Sequence, residues 1–444
     1  MLALTGVIAL RMLGLFMILP VFSIYALELP SATPTLIGIA IGIYGLTQAL
    51  LQIPFGWMSD RLGRKPVILF GLLLFAAGSV LAALAQDIIP IIIGRALQGS
   101  GAIAAAVMAL ASDLTRDENR AKAMAMIGIS MGASFLLAII LGPVLLSSIG
   151  VPGIFWLTSG LAVLGMLLLL FAVPASAVSH SRRNVLAIPV LFGQVVRDHQ
   201  LLRLDAGIFV LHAVITASFI VFPLYLEQQT GIETARHWQI YLPVLVASVV
   251  FMLPFLIASE RYKLQKTALL VAISILVVAL LGLSLLNGGL WAVAMIMVVF
   301  FTAFNLLEAS LPSLVSRLAP PDARGTALGV YATSQFLGVF VGGTLGGVML
   351  GKYGVPGVFL LNAGLGMIWL IITIGMTQPK LFDSYQLTVG RMDEHAAETL
   401  AQRLANVRGV KQAVVVGGEG IAYLKVDRQR LDEQTIREFA AFEG

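Results

Sequence analysis

The chain has 444 residues, 59% of them hydrophobic and 11% charged, with a formal net charge of +5 and a mean hydropathy of +0.95. Soluble proteins carry about a quarter of their residues as charges, so a soluble enzyme, a disordered chain and a disulfide scaffold are all excluded. With no cysteine there is no disulfide, thiolate metal site or cysteine nucleophile.

Charge is unevenly placed along the chain. Residues 1–377 hold 19 of the 28 basic and 13 of the 23 acidic residues, whereas 378–444 have ordinary soluble composition. A boundary is expected near Thr377–Asp383. The basic excess lies in the apolar part, which ties it to membrane topology rather than to nucleic acid. At about 20 apolar residues per bilayer crossing, that part predicts twelve spans, near 3–27, 35–57, 66–85, 88–112, 122–146, 152–174, 201–226, 238–258, 267–286, 290–315, 325–350 and 355–376. The first stretch lacks the basic start and small-residue cleavage site of a signal peptide and reads as a span.

Lys and Arg set the orientation. With the N-terminus inside, 15 of them fall in cytoplasmic loops, from Arg61, Arg64 and Lys65 to Arg317 and Arg324, and only Arg236 and Lys352 fall on the other side. Both termini are therefore expected in the cytoplasm. The longest connection is 175–200; its segment 185–196 is apolar, too short to span and broken by Pro189. It is expected to lie along the membrane interface, joining six-helix halves at 1–174 and 201–377. An offset of 204 residues relates Ser112, Leu114, Arg120, Ala123, Ser130 and Gly142 to Ser316, Leu318, Arg324, Ala327, Ser334 and Gly346. Parallel six-span repeats with a substrate site between them are a known transporter plan.

Charges inside a bilayer cost several kcal/mol unless they face a cavity or a partner. Arg11 in span one, Arg95 in span four and Glu308 in span ten are expected to line a cavity. Asn305 lies one turn from Glu308 on the same face. Tyr44, Gln48 and Gln52 in span two and Gln335 in span eleven read as pocket lining, with interhelical packing as the equal alternative. For His212 in span seven and Asp205 at its start, hydrogen bonding between helices is the competing reading. A proton carrier needs a group that can cross ambient pH, which arginine does not do. Glu308 is the leading candidate and His212 the second. The glycine run Gly338, Gly342, Gly343, Gly346, Gly347 and Gly351 has the spacing of close helix contact. No Walker sequence occurs, which argues against an ATP-driven pump.

The loop after span two reads Gly56-Trp57-Met58-Ser59-Asp60-Arg61-Leu62-Gly63-Arg64-Lys65. An acid at a helix end followed by three cations can form an ion-pair cluster against a helix terminus. The spacing resembles the G-x-x-x-D-R-x-G-R-[KR] signature of the major facilitator superfamily. Leu13-Gly14 followed by Pro20-Val21, the run Arg95-Ala-Leu-Gln98-Gly99-Ser-Gly101, and Gly142-Pro143 resemble motifs of its drug:proton antiporter branch. Ala138 stands where the fifth-span motif has its leading glycine, and Leu146-Ser147 replace its closing pair. The resemblance covers all twelve spans and implies an α-helical polytopic membrane protein of the major facilitator fold. It also implies that Asp60 meets the start of span eleven and that Arg64 pairs with Asp113, stabilising an outward-open state. Gln98 joins the cavity candidates through its motif.

The leading functional reading is a secondary active transporter of the inner membrane, not an enzyme. It would export amphipathic or lipophilic small molecules in exchange for protons, by alternating access. Its partners would be the substrate, protons and the bilayer, with no nucleic acid, no metal and no cofactor beyond the proton gradient. The alternatives are a uniporter or symporter of a polar metabolite, and a non-transporting sensor acting through the tail.

The tail, 383–444, predicts the order βαββα: strands at 385–389, 410–416 and 422–426, and helices at 393–406 and 432–442. This suits a small ferredoxin-like α+β domain. Having no cysteine and only His395, it offers no soft-metal site. It reads equally as a regulatory module with a ligand or protein partner and as a passive appendage.

Overall fold

A computed structural model describes residues 2–115, 120–174, 188–285, 288–320, 323–378, 383–426 and 430–439. It divides into two units, Met1–Thr377 and Gln378–Gly444.

In the first unit the helices are α1 (Leu2–Phe16), α2 (Phe22–Leu27), α3 (Pro34–Leu62), α4 (Arg64–Ala83), α5 (Ile88–Ser100), α6 (Ala104–Asp113) and α7 (Arg120–Ala172). They continue with α8 (Ile188–Val195), α9 (His199–Thr230), α10 (Trp238–Arg261), α11 (Gln265–Leu285), α12 (Gly289–Leu318) and α13 (Arg324–Ile374). Among the described residues, nine helical stretches are long and apolar enough to cross a membrane. Helix starts follow their capping residues: Thr33 Oγ1 accepts from Leu36 N at 3.2 Å with Pro34 in the first turn, and Asp87 accepts from Ile89 N at 3.1 Å.

Two predicted spans are each broken into two helices. Span one stops at Phe16 and resumes at Phe22, across tight turns at Pro20, which has no N–H to continue the ladder. Span four breaks at Gly101–Ile103, where Ala102 N and Ile103 N bond carbonyls only two residues back. At that break the Gly101 carbonyl accepts from Ile103 N and also from a side chain.

Conversely, α7 and α13 each contain two spans. At about 1.5 Å per residue, 53 and 51 helical residues would overreach a bilayer more than twofold. Each reverses at a glycine: Gly150 (φ 65, ψ 178) and Gly354 (φ 66, ψ −167). The reversal is visible in the packing. Ala9 of α1 and Met17 just beyond it meet Ser134 and Gly142 in the same order, whereas Gly6 and Gly14 meet Leu168 and Thr158 in the opposite order. Likewise Phe209, Ala213 and Ala217 of α9 run alongside Gly338, Gly342 and Gly346, while Val214 and Gly207 meet Asn362 and Trp369 in reverse. Both turns read Gly-Val-Pro-Gly, at 150–153 and 354–357, and are related by the same 204-residue offset as the other repeats. Their dihedrals belong to a region open to glycine alone. Gly354→Ala is therefore expected to cost about 1–3 kcal/mol of stability, read as a lower melting temperature of the purified protein; an unchanged melting point would contradict the assignment.

The interfacial segment expected at 185–196 appears as α8; residues 175–187 lie outside the described residues. The second unit contains β1 (Asp383–Thr388), α14 (Glu394–Ala405), β2 (Val410–Val416), β3 (Ile421–Val426) and α15 (Glu433–Arg437). Its antiparallel sheet has the order β1-β3-β2. Leu387, Leu404, Ala422, Leu424, Val426 and Ile436 form its core. Asp393 caps α14 by accepting from Ala396 N at 2.7 Å. The last helix is shorter than the predicted 432–442: it ends at Arg437, and 440–444 lie outside the described residues.

Candidate functional site

The glycine seam places the site. On α3, Gly38, Gly42 and Gly45 press against Gly343, Phe340 and Phe336 of α13, so close that an added Cβ would strike opposing backbone. Small residues at this spacing let the two backbones touch. The seam lies toward the end of the bundle that carries loop 28–33. Below it, Tyr44 and Phe336 meet edge-on at 6.4 Å. At the other end, a Cβ on Gly128 or Gly132 of α7, or on Gly325 or Gly329 of α13, would meet nothing within 4 Å. The helices are thus sealed at the 28–33 end, while these four glycines touch no neighbour toward the 61–65 end.

One cluster lies just below the seam on the α1–α6 side. Nη2 of Arg11 donates to Tyr44 Oη at 3.0 Å, Gln48 Oε1 at 3.1 Å and the Gly101 carbonyl at 2.8 Å. Arg95 donates from Nη1 to Gln98 Oε1 at 2.8 Å and from Nε to the Ala40 carbonyl at 3.3 Å. Its guanidinium also stands 5.4 Å from the Tyr44 ring centre. Gln98 passes the chain on to Ser79 Oγ at 2.7 Å. Both arginines were expected to line a cavity. In this structure they are 1% and 3% exposed, held between helices where the broken fourth span and the polar face of α3 supply acceptors. Gln52 is buried near them, its Oε1 without a partner.

A second cluster faces the first from α9, α12 and α13. His212 Nε2 and Gln335 Nε2 are 2.7 Å apart. With the amide N–H donating, the ring proton resides on Nδ1, which stands 3.9 Å from Glu308 Oε2. The Glu308 side chain is 39% exposed, with Oε2 itself buried. Asn305 donates to Ser248 Oγ at 3.0 Å, a tie to α10 rather than to Glu308. Sequence reasoning singled out Asp205 and missed Tyr331. Asp205 is 5% exposed with both carboxylate oxygens unpartnered, where helix-to-helix bonding was the competing expectation. Tyr331 is buried with an unpartnered hydroxyl, within electrostatic reach of Glu308 and Asp205. The signal for Asp205 was an acid in an apolar run that offered it no donor.

The loop cluster occupies the 61–65 end. Gly63, at φ 92, joins α3 to α4. Arg64 bonds Asp60 and Ser59, the latter at 2.8 Å, and reaches Asp113 Oδ2 at 3.3 Å. Lys65 donates to the Val173 carbonyl, and Arg61 stacks over Trp57 at 3.9 Å. A Cβ on Gly56 would sit 3.7 Å from Ala105 of α6. Among the described residues, no hydrogen bond or ion pair joins Asp60 to the start of α13; its partner is Arg64. The second half repeats the arrangement with the signs exchanged: Arg317 pairs with Glu260 at 2.8 Å and Lys266 donates to the Ile374 carbonyl at 2.9 Å.

Twelve crossings, a repeated six-span plan and charged clusters between the repeats define a membrane transporter. Residues 4–343 and 306–381 match the family model of the Major Facilitator Superfamily, and the chain belongs to that superfamily. It is 44% identical over 436 residues to the "Inner membrane transport protein YajR" of Escherichia coli K12, covering 97% of this chain and 96% of that protein. It is 26% identical over 377 residues to the "Multidrug resistance protein MdtH" of Aeromonas hydrophila, covering 83% and 94%. Among solved structures, an inward-facing, occupied bacterial homolog of the human lysosomal transporter Spinster aligns with a TM-score of 0.70 at 15% identity, over 84% of this chain and 95% of that one. A D-xylose-proton symporter aligns at 0.64 and 15% identity, over 85% and 98%. At such identities these two speak for the fold.

Proposed function

We propose that this transporter exports amphipathic small molecules across the inner membrane in exchange for protons, by alternating access. The observation that carries the reading is the Gln335–His212–Glu308 array, whose carboxylate side chain is partly exposed, on the α9, α12 and α13 side across from the Arg11–Tyr44–Gln48 cluster. A carboxylate beside an imidazole can take up and pass on a proton as its surroundings change. The loop charges orient the 61–65 end toward the cytoplasm, so the arrangement corresponds to an inward-open state. The similarity to proteins named for inner-membrane transport and multidrug resistance supports export. The proton gradient is the energy source, and the C-terminal unit is a regulatory module.

The test is flux in proteoliposomes holding the purified full-length protein. An imposed pH gradient is expected to drive accumulation of a lipophilic dye at least tenfold above protein-free vesicles, collapsing with a protonophore. Equal flux with and without the gradient would favour the uniporter, and no net flux at all would favour the sensor.

A further inference from the structure

We propose that the transported compound carries an anionic group, a carboxylate, sulfonate or phosphate on an apolar body, received by the Arg11–Tyr44–Arg95 cluster. This rests on the transport reading and adds the substrate class to it. Arginine keeps its proton in a protein, so both guanidiniums are cations wherever they lie. A buried cation without a counter-charge is costly, yet neither has one. Every acid described in residues 2–174 is engaged or remote: Asp60 and Asp113 are held by Arg64, Asp87 caps α5, and Glu28 lies at the loop 28–33 end. The partners of the two arginines are two carbonyls, two glutamine oxygens and a phenol, all neutral dipoles.

Donors also remain unused. Nε of Arg11 is buried with no partner, and Nη1 of Arg11 and Nη2 of Arg95 form no hydrogen bond among the described residues. A guanidinium fork with free donors fits a planar or tetrahedral oxyanion. Tyr44 joins the two arginines, taking a hydrogen bond on its hydroxyl from one and a cation on its ring from the other. It is also the residue that meets the facing half, through Phe336. An oxyanion arriving between the halves reaches the pair at Tyr44, beside which the Phe336 ring offers apolar surface to its body. The carboxylates lie on the other side, at Glu308 and Asp205, so the two sides of the pathway differ in sign.

The experiment is a binding panel at one pH with no gradient, on the purified full-length protein in nanodiscs. Benzoate, 2-naphthoate and 1-naphthalenesulfonate are each compared with the uncharged amide and the ammonium compound of the same ring system, by thermal shift and calorimetry. At least one anion is expected to stabilise the protein and to bind ten times more tightly than its amide and its ammonium counterpart. R11Q and R95Q are expected to erase that preference, and R11K and R95K to retain part of it. Amides or ammonium compounds binding as well as the anions would overturn the proposal, as would no anion binding at all, or a preference that survives both glutamine variants. If R11Q does not fold, the wild-type panel and R95Q still decide. Because the panel needs neither flux nor protons, its failure would leave proton-coupled export standing, and a flux indifferent to pH would leave the anion site standing.

Discussion

Replacing Glu308 with glutamine is expected to abolish the response of transport to a pH gradient while leaving the protein folded. The side chain keeps its size and its hydrogen-bonding oxygen but no longer takes up or releases a proton. Its Oε2 has no hydrogen-bond partner and faces the Nδ1 of His212 at 3.9 Å, so no tight contact is lost and the melting temperature should move little. Gradient-driven flux should fall at least tenfold, to the level of wild type without a gradient. Replacing His212 instead should give a partial loss, since the imidazole positions the proton's path but Glu308 remains to bind it. A wild-type pH response in Glu308→Gln would move the proton site elsewhere, with Asp205, buried and unpartnered, the next group to examine.

The second large effect is expected at Asp60. In this structure its side chain is 63% exposed and paired with Arg64 on the adjoining helical turn. An exposed pair of that kind contributes at most about 1 kcal/mol, so Asp60→Asn should leave stability almost unchanged. Transport should nevertheless fall at least tenfold. The reason lies in the other half of the cycle. In the proposed cycle, opening of the seam at Gly38 and Gly343 closes the 61–65 end and would bring Asp60 toward the positive start of α13 at Arg324, where a carboxylate is stabilised by the helix dipole. An asparagine offers a weaker partner there, and the protein would remain in the state described here. Monodisperse, thermally stable Asp60→Asn protein with wild-type flux would contradict this role.

The fold was largely legible because a bilayer makes hydrophobic length the dominant signal. Predominantly apolar runs of about 20 residues located the crossings, and the change in charge density at Thr377 marked the boundary between the two units. The breaks at Pro20 and Gly101 were not legible, since apolar periodicity continues through both and only the backbone departs. Arg11 and Arg95 stood out as charges in apolar runs, but the burial of Arg11 depends on acceptors 33 to 90 residues away along the chain, and that of Arg95 in part on the Ala40 carbonyl 55 residues away. Glu308, His212 and Gln335 were each visible singly; that they join depends on three helices converging below the seam. The Glu260–Arg317 pair escaped notice because the repeat exchanges its signs, so residue identity gives no echo.

The central claim is that the seam between α3 and α13 and the opening at the 61–65 end exchange places. The chain has no cysteine, so introduced thiols are the only ones to label. One spin-labelled pair at Ala32→Cys and Tyr353→Cys would report on the sealed end, and another at Leu62→Cys and Leu328→Cys on the open end. Both would be measured by pulsed electron–electron resonance in nanodiscs, with and without protons and a transported compound. The first distance is expected to lengthen as the second shortens, in wild type but not in Asp60→Asn. Two distances that never change, or that change in the same direction, would contradict alternating access about this seam.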